Sequence, residues 1–370
     1  MLPDLNISKV PIVALGAAVK ATFSVTYHGN LFLSQYLGDL SDFDTQQRYH
    51  WLLQRTLRQF SVQPSVVVGD LHPNYFTTAF GRNLAEELNI PFTQIQHHEA
   101  HFAAILAERK LFDSPKPILG VIWDGTGYGS DGQIWGGEFF SYQSGKGIHR
   151  VGQLPYFPFL LGDKMVREPR LSALSFCKQF ATSELEILSQ KFSPTEWEWY
   201  LKLLASQQAI WTSSVGRLFD AVASLLGFAD SVTYEGEAAL MLETAARRYL
   251  RKNPTLDEGF FSRMNNQQTP FSLAWFGLLV EAVKEQVPAD QLAALFHISL
   301  VEMVAAVAIE GGFEEIAFSG GVFQNALLLE LLQKHLLPRK FKLYFHQALS
   351  SNDENIAFGQ LFHHTILKVN

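Results

Sequence analysis

The chain has 370 residues, 47% of them hydrophobic and 18% charged, with a net charge of −7; this is ordinary for a soluble globular protein of two or three domain-sized units. The acidic balance and the lack of basic clusters argue against a nucleic-acid partner held by charge, and no apolar run approaches the ~18 residues that span a bilayer. The one cysteine, Cys177, excludes an internal disulfide and a CxxC metal site and fits a reducing cytoplasm.

Asp4 stands ahead of the apolar run 11–18, which is not the pattern of a signal peptide. Residues 11–37 read as three short strands, turning near Gly16 and at His28-Gly29-Asn30. Lys20 follows the first turn, and reads equally as an ammonium placed for a phosphate or as a solvated edge lysine. A helix over 43–61, a buried strand within 64–70, a helix over 74–88 and a strand over 90–96 come next. That strand runs straight into His97-His98-Glu99-Ala100-His101, which opens a helix to about 110. Such alternation points to a layered α/β domain.

An apolar run from Ile118 then ends in Asp124, with glycines at 125, 127 and 129 and a second extended run over 134–142. Gly127-Tyr128-Gly129-Ser130-Asp131-Gly132 spells the dinucleotide fingerprint, but no helix follows it. The stretch reads instead as a β-hairpin whose glycines let the backbone approach an anion, with Asp124 at the strand end holding a cation. Adenine-nucleotide folds of the actin, sugar-kinase and Hsp70 type hold phosphate in such hairpins. Two strand–glycine turn–strand openings in one chain predict two related halves, about 1–115 and 116–370, facing each other across a nucleotide cleft.

Beyond a strand over 148–154, a helical pattern dominates from 163 to about 250. It breaks near Thr182-Ser183, at Pro194, and in polar patches at 212–220 and 233–238. A loop or short hairpin over 251–271 and helices over 273–285 and 288–311 complete a helical insertion at about 163–311. The chain then returns to α/β: strand 315–319, Gly320-Gly321, helix 325–335, strand 341–345, a loop with Asn352-Asp353, and a last helix to about 367.

His97 and His101, four apart on one helix, face the same way and suit a divalent metal. Alone the pair is no better than a polar helix start; with Asp124 and Asp353 it becomes a mixed set for zinc, iron or manganese. HExxH, GxSxG and GxxxxGK[ST] are all absent, which excludes the zinc-protease, hydrolase-elbow and P-loop readings. Gly320 and Gly321 sit between a strand and a helix beginning near Asn325, where backbone N–H groups suit a nucleotide. Asp220 and Glu235-Gly236 suit ribose hydroxyls, and Arg167 and Arg170 suit a carbamoyl or phosphate group; each alone is more often a helix cap or a salt bridge. Cys177 reads as a packed core residue.

Together these stretches resemble the C-terminal carbamoyltransferase domain of the HypF family of hydrogenase maturation proteins. The resemblance runs through 15–23, 32–40, Gly69-Asp70-Leu71-His72-Pro73, 97–101, 123–129, 134–139, Arg167-Glu168-Pro169, 212–221, Tyr234-Glu235-Gly236, 319–325 and Asn352-Asp353. The domain is similar in fold to tRNA threonylcarbamoyl transferases and to O-carbamoyltransferases of antibiotic synthesis. It implies an α/β fold of two ribonuclease-H-like halves around a nucleotide cleft, with a helical insertion. It further implies a divalent metal on His97, His101, Asp124 and Asp353. The nucleotide (ATP, AMP or carbamoyl-AMP, with Mg) would be held by Gly125, Thr126, Gly127, Asp220, Glu235, Gly236, Gly320, Gly321 and Asn325. Lys20, Asp124 and Arg167 would carry catalysis.

The implied reaction moves a carbamoyl group from carbamoyl-AMP to the C-terminal cysteine of a HypE-like acceptor, on the way to a cyanide ligand of nickel–iron hydrogenase. The acylphosphatase, zinc-finger-like and adenylate-forming domains that precede this one in full-length members are not in these 370 residues. A naturally single-domain chain would therefore need a separate adenylate-forming protein as carbamoyl donor. Two departures stand out: Glu99 replaces a usual histidine, and Leu161-Gly162-Asp163 replaces a usual Gly-Gly-Asp. The alternatives are O-carbamoylation of a small molecule and a non-catalytic nucleotide-binding partner module.

Overall fold

A computed structural model describes residues 9–206, 210–253, 273 and 275–367. Strands β1 (Ile12–Ala14), β2 (Ser24–Tyr27), β3 (Asn30–Leu33), β4 (Val66–Asp70) and β5 (Phe92–Ile95) form one sheet in the order β3-β2-β1-β4-β5. Helices α1 (Phe43–Gln59) and α2 (Phe76–Leu88) make its crossovers, and α3 (His97–Glu108) leaves its last strand. The cap that starts α1 is Asp42, whose side chain accepts the Thr45 N–H.

The second sheet holds β6 (Ile118–Tyr128), β7 (Ile134–Gln143), β8 (Gly147–Gln153), β9 (Phe157–Phe159), β10 (Ile210–Thr212), β11 (Glu315–Ser319) and β12 (Lys342–Tyr344). Its path β12-β11-β6-β7-β8 repeats the first sheet strand for strand. The pairings repeat too: β6–β7 and β7–β8 are antiparallel like β1–β2 and β2–β3, while β6–β11 and β11–β12 are parallel like β1–β4 and β4–β5. The fold is therefore two ribonuclease-H-like halves, as the sequence predicts.

Between β8 and β11 come α4 (Asp163–Arg167), α5 (Pro169–Phe180), a 3-10 stretch (Thr182–Lys191), α6 (Pro194–Ala205), α7 (Val215–Leu225), α8 (Glu237–Lys252), α9 (Trp275–Lys284) and α10 (Ala289–Glu310). The last crossover is α11 (Ala326–Leu336), and α12 (Ile356–Leu367) closes the described chain. α6 shows why such boundaries are local: Ser193 and Glu196 form a reciprocal capping box and Pro194 occupies the first turn.

Strand alternation divides the core into three. Val13 and Val67 face α1 and α2, while Ile12, Ala14, Val66 and Val68 face the opposite side, where α3 and α12 lie. In β6, Ile118 and Ile122 face α3 and α12, whereas Leu119, Val121 and Trp123 face the helical insertion. α3 packs against β6 and β11, and α12 against β1 and β4. The two helices thus form one layer between the sheets, crossing each other at Ala100 and Gly359. A Cβ on Gly359 would stand 1.9 Å from the Ala100 carbonyl oxygen.

Some expectations need correction. β10 lies inside the span expected to be helical; Ile210, Trp211 and Thr212 are β-formers, and they pair with β9 and the start of β7. Asp124 is not at a strand end, since β6 continues to Tyr128 with a register shift between Trp123 and Gly127. α10 has an 18-residue window of mean hydropathy 2.2, apolar and long enough to cross a bilayer, contrary to expectation, but 83% of that window is buried among the helices of the insertion. A helix apolar all round is what a core position demands. The loop or hairpin expected over 251–271 lies almost wholly outside the described residues, as does Asp4.

Gly359→Ala should cost about 1–3 kcal/mol or more, because backbone rather than a pliable side chain opposes the new methyl. Thermal denaturation checks it: an unchanged midpoint would show that α3 and α12 separate freely.

Candidate functional site

Gln96 ends the β5 connection and caps α3 by accepting the Glu99 N–H at 2.9 Å. That cap places His97 and His101 one turn apart, both buried, above the shifted segment of β6 that carries Asp124. Asp353 reaches the same point from the turn before α12. His97 Nε2 lies 3.5 Å from Asp124 Oδ2 and 3.6 Å from Asp353 Oδ1, and His101 Nε2 lies 4.0 and 3.6 Å from the same two atoms. One donor atom from each residue fits within 4.8 Å of the others.

The tautomers follow from the far side of each ring. His97 Nδ1 donates to Asp70 Oδ2 at 2.8 Å, and His101 Nδ1 to Asn355 Oδ1 at 3.0 Å. Both Nε2 atoms face the two carboxylates, and among the described residues both are buried without a hydrogen-bond partner. Two orphaned imidazole nitrogens facing two carboxylates are what a divalent cation satisfies. Donors gathered within 4.8 Å of one another are close enough for one divalent cation to be held by all four residues. Burial opposes a charge on His97, but Asp353, Asp70 and Asp124 outweigh it and hold its pKa well above the usual value. Burial and the Asp353 charge oppose ionisation of Asp124, yet the two imidazoles keep its pKa low.

A second buried network braces His101. Glu108, on the last turn of α3, accepts N–H groups from Gln347 at 2.8 Å, from Ala348 and from Leu349 at 3.2 Å, and its other oxygen accepts His346 Nδ1. His346 Nε2 meets Ser319 Oγ at 2.9 Å, and Ser319 and Asn355 both reach His101 Nδ1. One helix therefore carries both imidazoles and anchors the loop that leads to Asp353. Burial alone would raise the Glu108 pKa, but the His346 ring and the backbone N–H groups hold it at about 2.

Two cavities flank Asp124. The first, about 320 Å³, is lined by Gly125, Asp220, Glu235, Gly236, Gly321 and Asn325 from the sequence-predicted set. The second, about 380 Å³, takes in Thr126, Arg167 and Asp353. Lys20, Asp124, Gly125 and Glu235 face both. Lys20 sits at a positive φ of 52° and pairs with Glu235 at 2.8 Å, so two predicted residues meet each other across the cleft. Asp220 is buried, which pushes its carboxyl up to about 6 against the pull of Arg217. The Gly321 N–H donates to Asp124 Oδ1 at 3.1 Å. Asn325 is largely spent on structure: its Oδ1 caps α11 through the Leu328 N–H, and its Nδ2 donates to His297.

Gly127 and Gly320 line neither cavity. A Cβ on Gly127 would meet His98 Cε1 at 2.4 Å, and one on Gly320 the Trp123 carbonyl oxygen at 2.2 Å. Both let buried elements close up behind the wall. Arg170, the other guanidinium expected near a phosphate, is held by Glu168 at 2.7 Å and Glu196 at 2.9 Å. Glu99 points away from His97 and His101 to His363 Nε2 at 3.0 Å. Leu161 adopts φ +57°, the left-handed region in which glycine would be unstrained, so the missing glycine leaves a backbone that still follows a glycine path.

Sequence reasoning missed Asp70, Ser319 as a polar contact, Asn355, His346, Glu108 and Arg217. A signal existed for Asp70 and Arg217, which stand inside motifs noted above; Glu108 and His346 are tied by a contact spanning 238 positions that no local pattern carries.

Comparison with known proteins gives one answer. Residues 8–108 match the family described as HypF Kae1-like domain, and residues 120–360 match the carbamoyltransferase, Kae1-like domain, second subdomain. Carbamoyltransferase HypF of Synechocystis sp. is 32% identical over 95% of this chain and 46% of its own length. The carbamoyltransferase HypF homolog of Cupriavidus necator is 31% identical over 95% of this chain and 90% of its own length. Full-length HypF in a phosphate- and nucleotide-bound form superimposes with a TM-score of 0.82 at 27% identity, covering 98% of this chain and 56% of that one. T. kodakarensis HypF superimposes with the same TM-score of 0.82 at 25% identity, covering 99% of this chain and 49% of that one. The chain thus spans about half the length of most of these relatives, and nearly all of one shorter homologue.

Two outcomes are expected. Asp70→Asn should weaken metal binding by about 10- to 100-fold through the loosened His97 ring, read by competition with a chelating dye; unchanged affinity would dismiss the brace. Glu108 has a folded pKa of about 2 against an ordinary 4.5, so its stabilisation is complete above pH 4.5 and fades as pH falls through 2. The stability gap between wild type and Glu108→Gln should therefore be widest near neutrality and narrow below pH 4.5 in denaturant titrations; a gap that is constant with pH would contradict it.

Proposed function

The chain belongs to the HypF family, and on that premise we propose that it transfers a carbamoyl group from carbamoyl-AMP to an acceptor, with a divalent metal on His97, His101, Asp124 and Asp353. The observation that carries this reading is the shared wall of the two cavities: Asp124 and Gly125 face both. A nucleotide seated in the first cavity would present its acyl-phosphate end to the metal ligands in the second.

In this reading Asp220 and Glu235 accept hydrogen bonds from ribose hydroxyls, and the open backbone at Gly125 admits the phosphate. Thr126 and the exposed Arg167 guanidinium face the transferred group from the second cavity. Lys20 closes the cleft through its pair with Glu235. A bound divalent cation would supply Lewis-acid polarisation of the carbonyl or phosphate. Among zinc, iron and manganese the donor set does not discriminate.

The acceptor, by family resemblance, is the C-terminal cysteine of a HypE-like protein, entering as thiolate. A C–S bond forms at the carbamoyl carbon, the carbon–oxygen bond to phosphate breaks, and AMP leaves with the electron pair. If the chain acts as a single domain, a separate adenylate-forming protein supplies the carbamoyl-AMP.

The test is mass spectrometry of an acceptor cysteine incubated with carbamoyl-AMP and this protein. Wild type should add one carbamoyl group, and Asp124→Ala or Asp353→Ala should slow this by at least about 100-fold, the scale on which groups acting only in the transition state contribute. Carbamoylation that survives both substitutions would overturn the assignment.

A further inference from the structure

Five residues line both cavities: Lys20, Asp124, Gly125, Arg217 and Glu235. Their junction is where a phosphate joining nucleoside to acyl group has to lie. Only two of the five are cations, and their situations differ. Lys20 Nζ is already 2.8 Å from Glu235 Oε2. Arg217 is only 6% exposed, yet among the described residues its Nε and Nη1 have no hydrogen-bond acceptor, while Nη2 approaches Asp220 Oδ2 at 3.0 Å.

Buried guanidinium N–H groups without an acceptor are costly, and persist where a ligand supplies one. The setting of Arg217 is built. Ser214 caps α7 by accepting the Arg217 N–H at 3.0 Å, and its hydroxyl reaches the Asp124 and Gly125 carbonyl oxygens. A Cβ on Gly216 would stand 2.8 Å from Gly125 Cα, so α7 begins hard against the shifted segment of β6. The N-terminus of α7 adds a favourable field for an anion at the same place. Asp220, one turn later, couples this guanidinium to the proposed ribose contact.

We propose that Arg217 is the phosphate-binding residue of the nucleotide, its Nε and Nη1 donating to phosphate oxygens at the junction of the two cavities. This rests on the reading of the first cavity as a nucleoside site, and it assigns the anion to α7 rather than to Lys20 or Arg167. The fork geometry matters: two donors in one plane match two oxygens of one phosphate, which a lysine ammonium cannot.

Calorimetric titration of the full chain with AMP and, separately, with adenosine tests it. Arg217→Gln should weaken AMP by about 10- to 100-fold and leave adenosine within about twofold; Arg217→Lys should fall between. AMP affinity unchanged in Arg217→Gln would overturn the assignment, as would an equal loss of both ligands, which would make Arg217 a support of the cleft wall. A wild type that binds neither ligand would instead overturn the nucleoside reading itself, and the phosphate role with it.

Discussion

Where α3 crosses α12, Gly359 lies so close to the Ala100 carbonyl that no side chain fits between them, and this contact sets the distance at which the two halves meet. The imidazoles ride on α3, and Asp353 stands on the turn that starts α12. A shift of either helix along the other would move donors apart by the ångström that separates a metal site from four polar residues. The apolar residues around the crossing, Phe102, Ile105, Phe358 and Phe362 among them, contribute about 1.5–3 kcal/mol each by burial. They hold a polar centre whose like charges would otherwise drive it apart.

The duplicated topology explains how that centre is braced. Asp70 closes β4 and Ser319 closes β11, which are corresponding strands of the two sheets. Asp70 holds His97 Nδ1, and Ser319, with Asn355, meets His101 Nδ1. The first half therefore fixes one imidazole and the second half the other, through the same architectural position. Charge is balanced likewise: burial penalises His97, Asp124 and Asp353, and each keeps its charge because neighbours carry the opposite sign. The proposed nucleotide side has a different logic. There α7, from the insertion, presses against the shifted segment of β6 and brings Arg217 and Asp220 to the cavity, so the insertion completes a site that the two halves alone leave open.

Much of this was legible in the sequence because it is local. The His97/His101 spacing, the valine run of β4 and the glycine turns of the paired openings each carry their meaning locally, and the two-halves reading followed from those openings. What was not legible depends on pairings between distant segments. Asp124 reads as a strand end because its glycines suggest a turn, and only the pairing with β7 shows the strand continuing past it. β10 is three residues long and takes its strand form from neighbours on β7 and β9. Gly127 and Gly320 look like phosphate glycines by motif, whereas the atoms a Cβ would strike show them making room for His98 and for Trp123.

The proposed transfer depends on one cation held between the two halves. X-ray absorption spectroscopy of the metal-bearing protein tests that most directly. It should show two imidazole nitrogens and carboxylate oxygens around the metal, and His97→Ala should remove one imidazole from that shell. A metal with no imidazole ligands, or a shell untouched by that substitution, would place the metal elsewhere and leave the convergence of His97, His101, Asp124 and Asp353 without the role given to it.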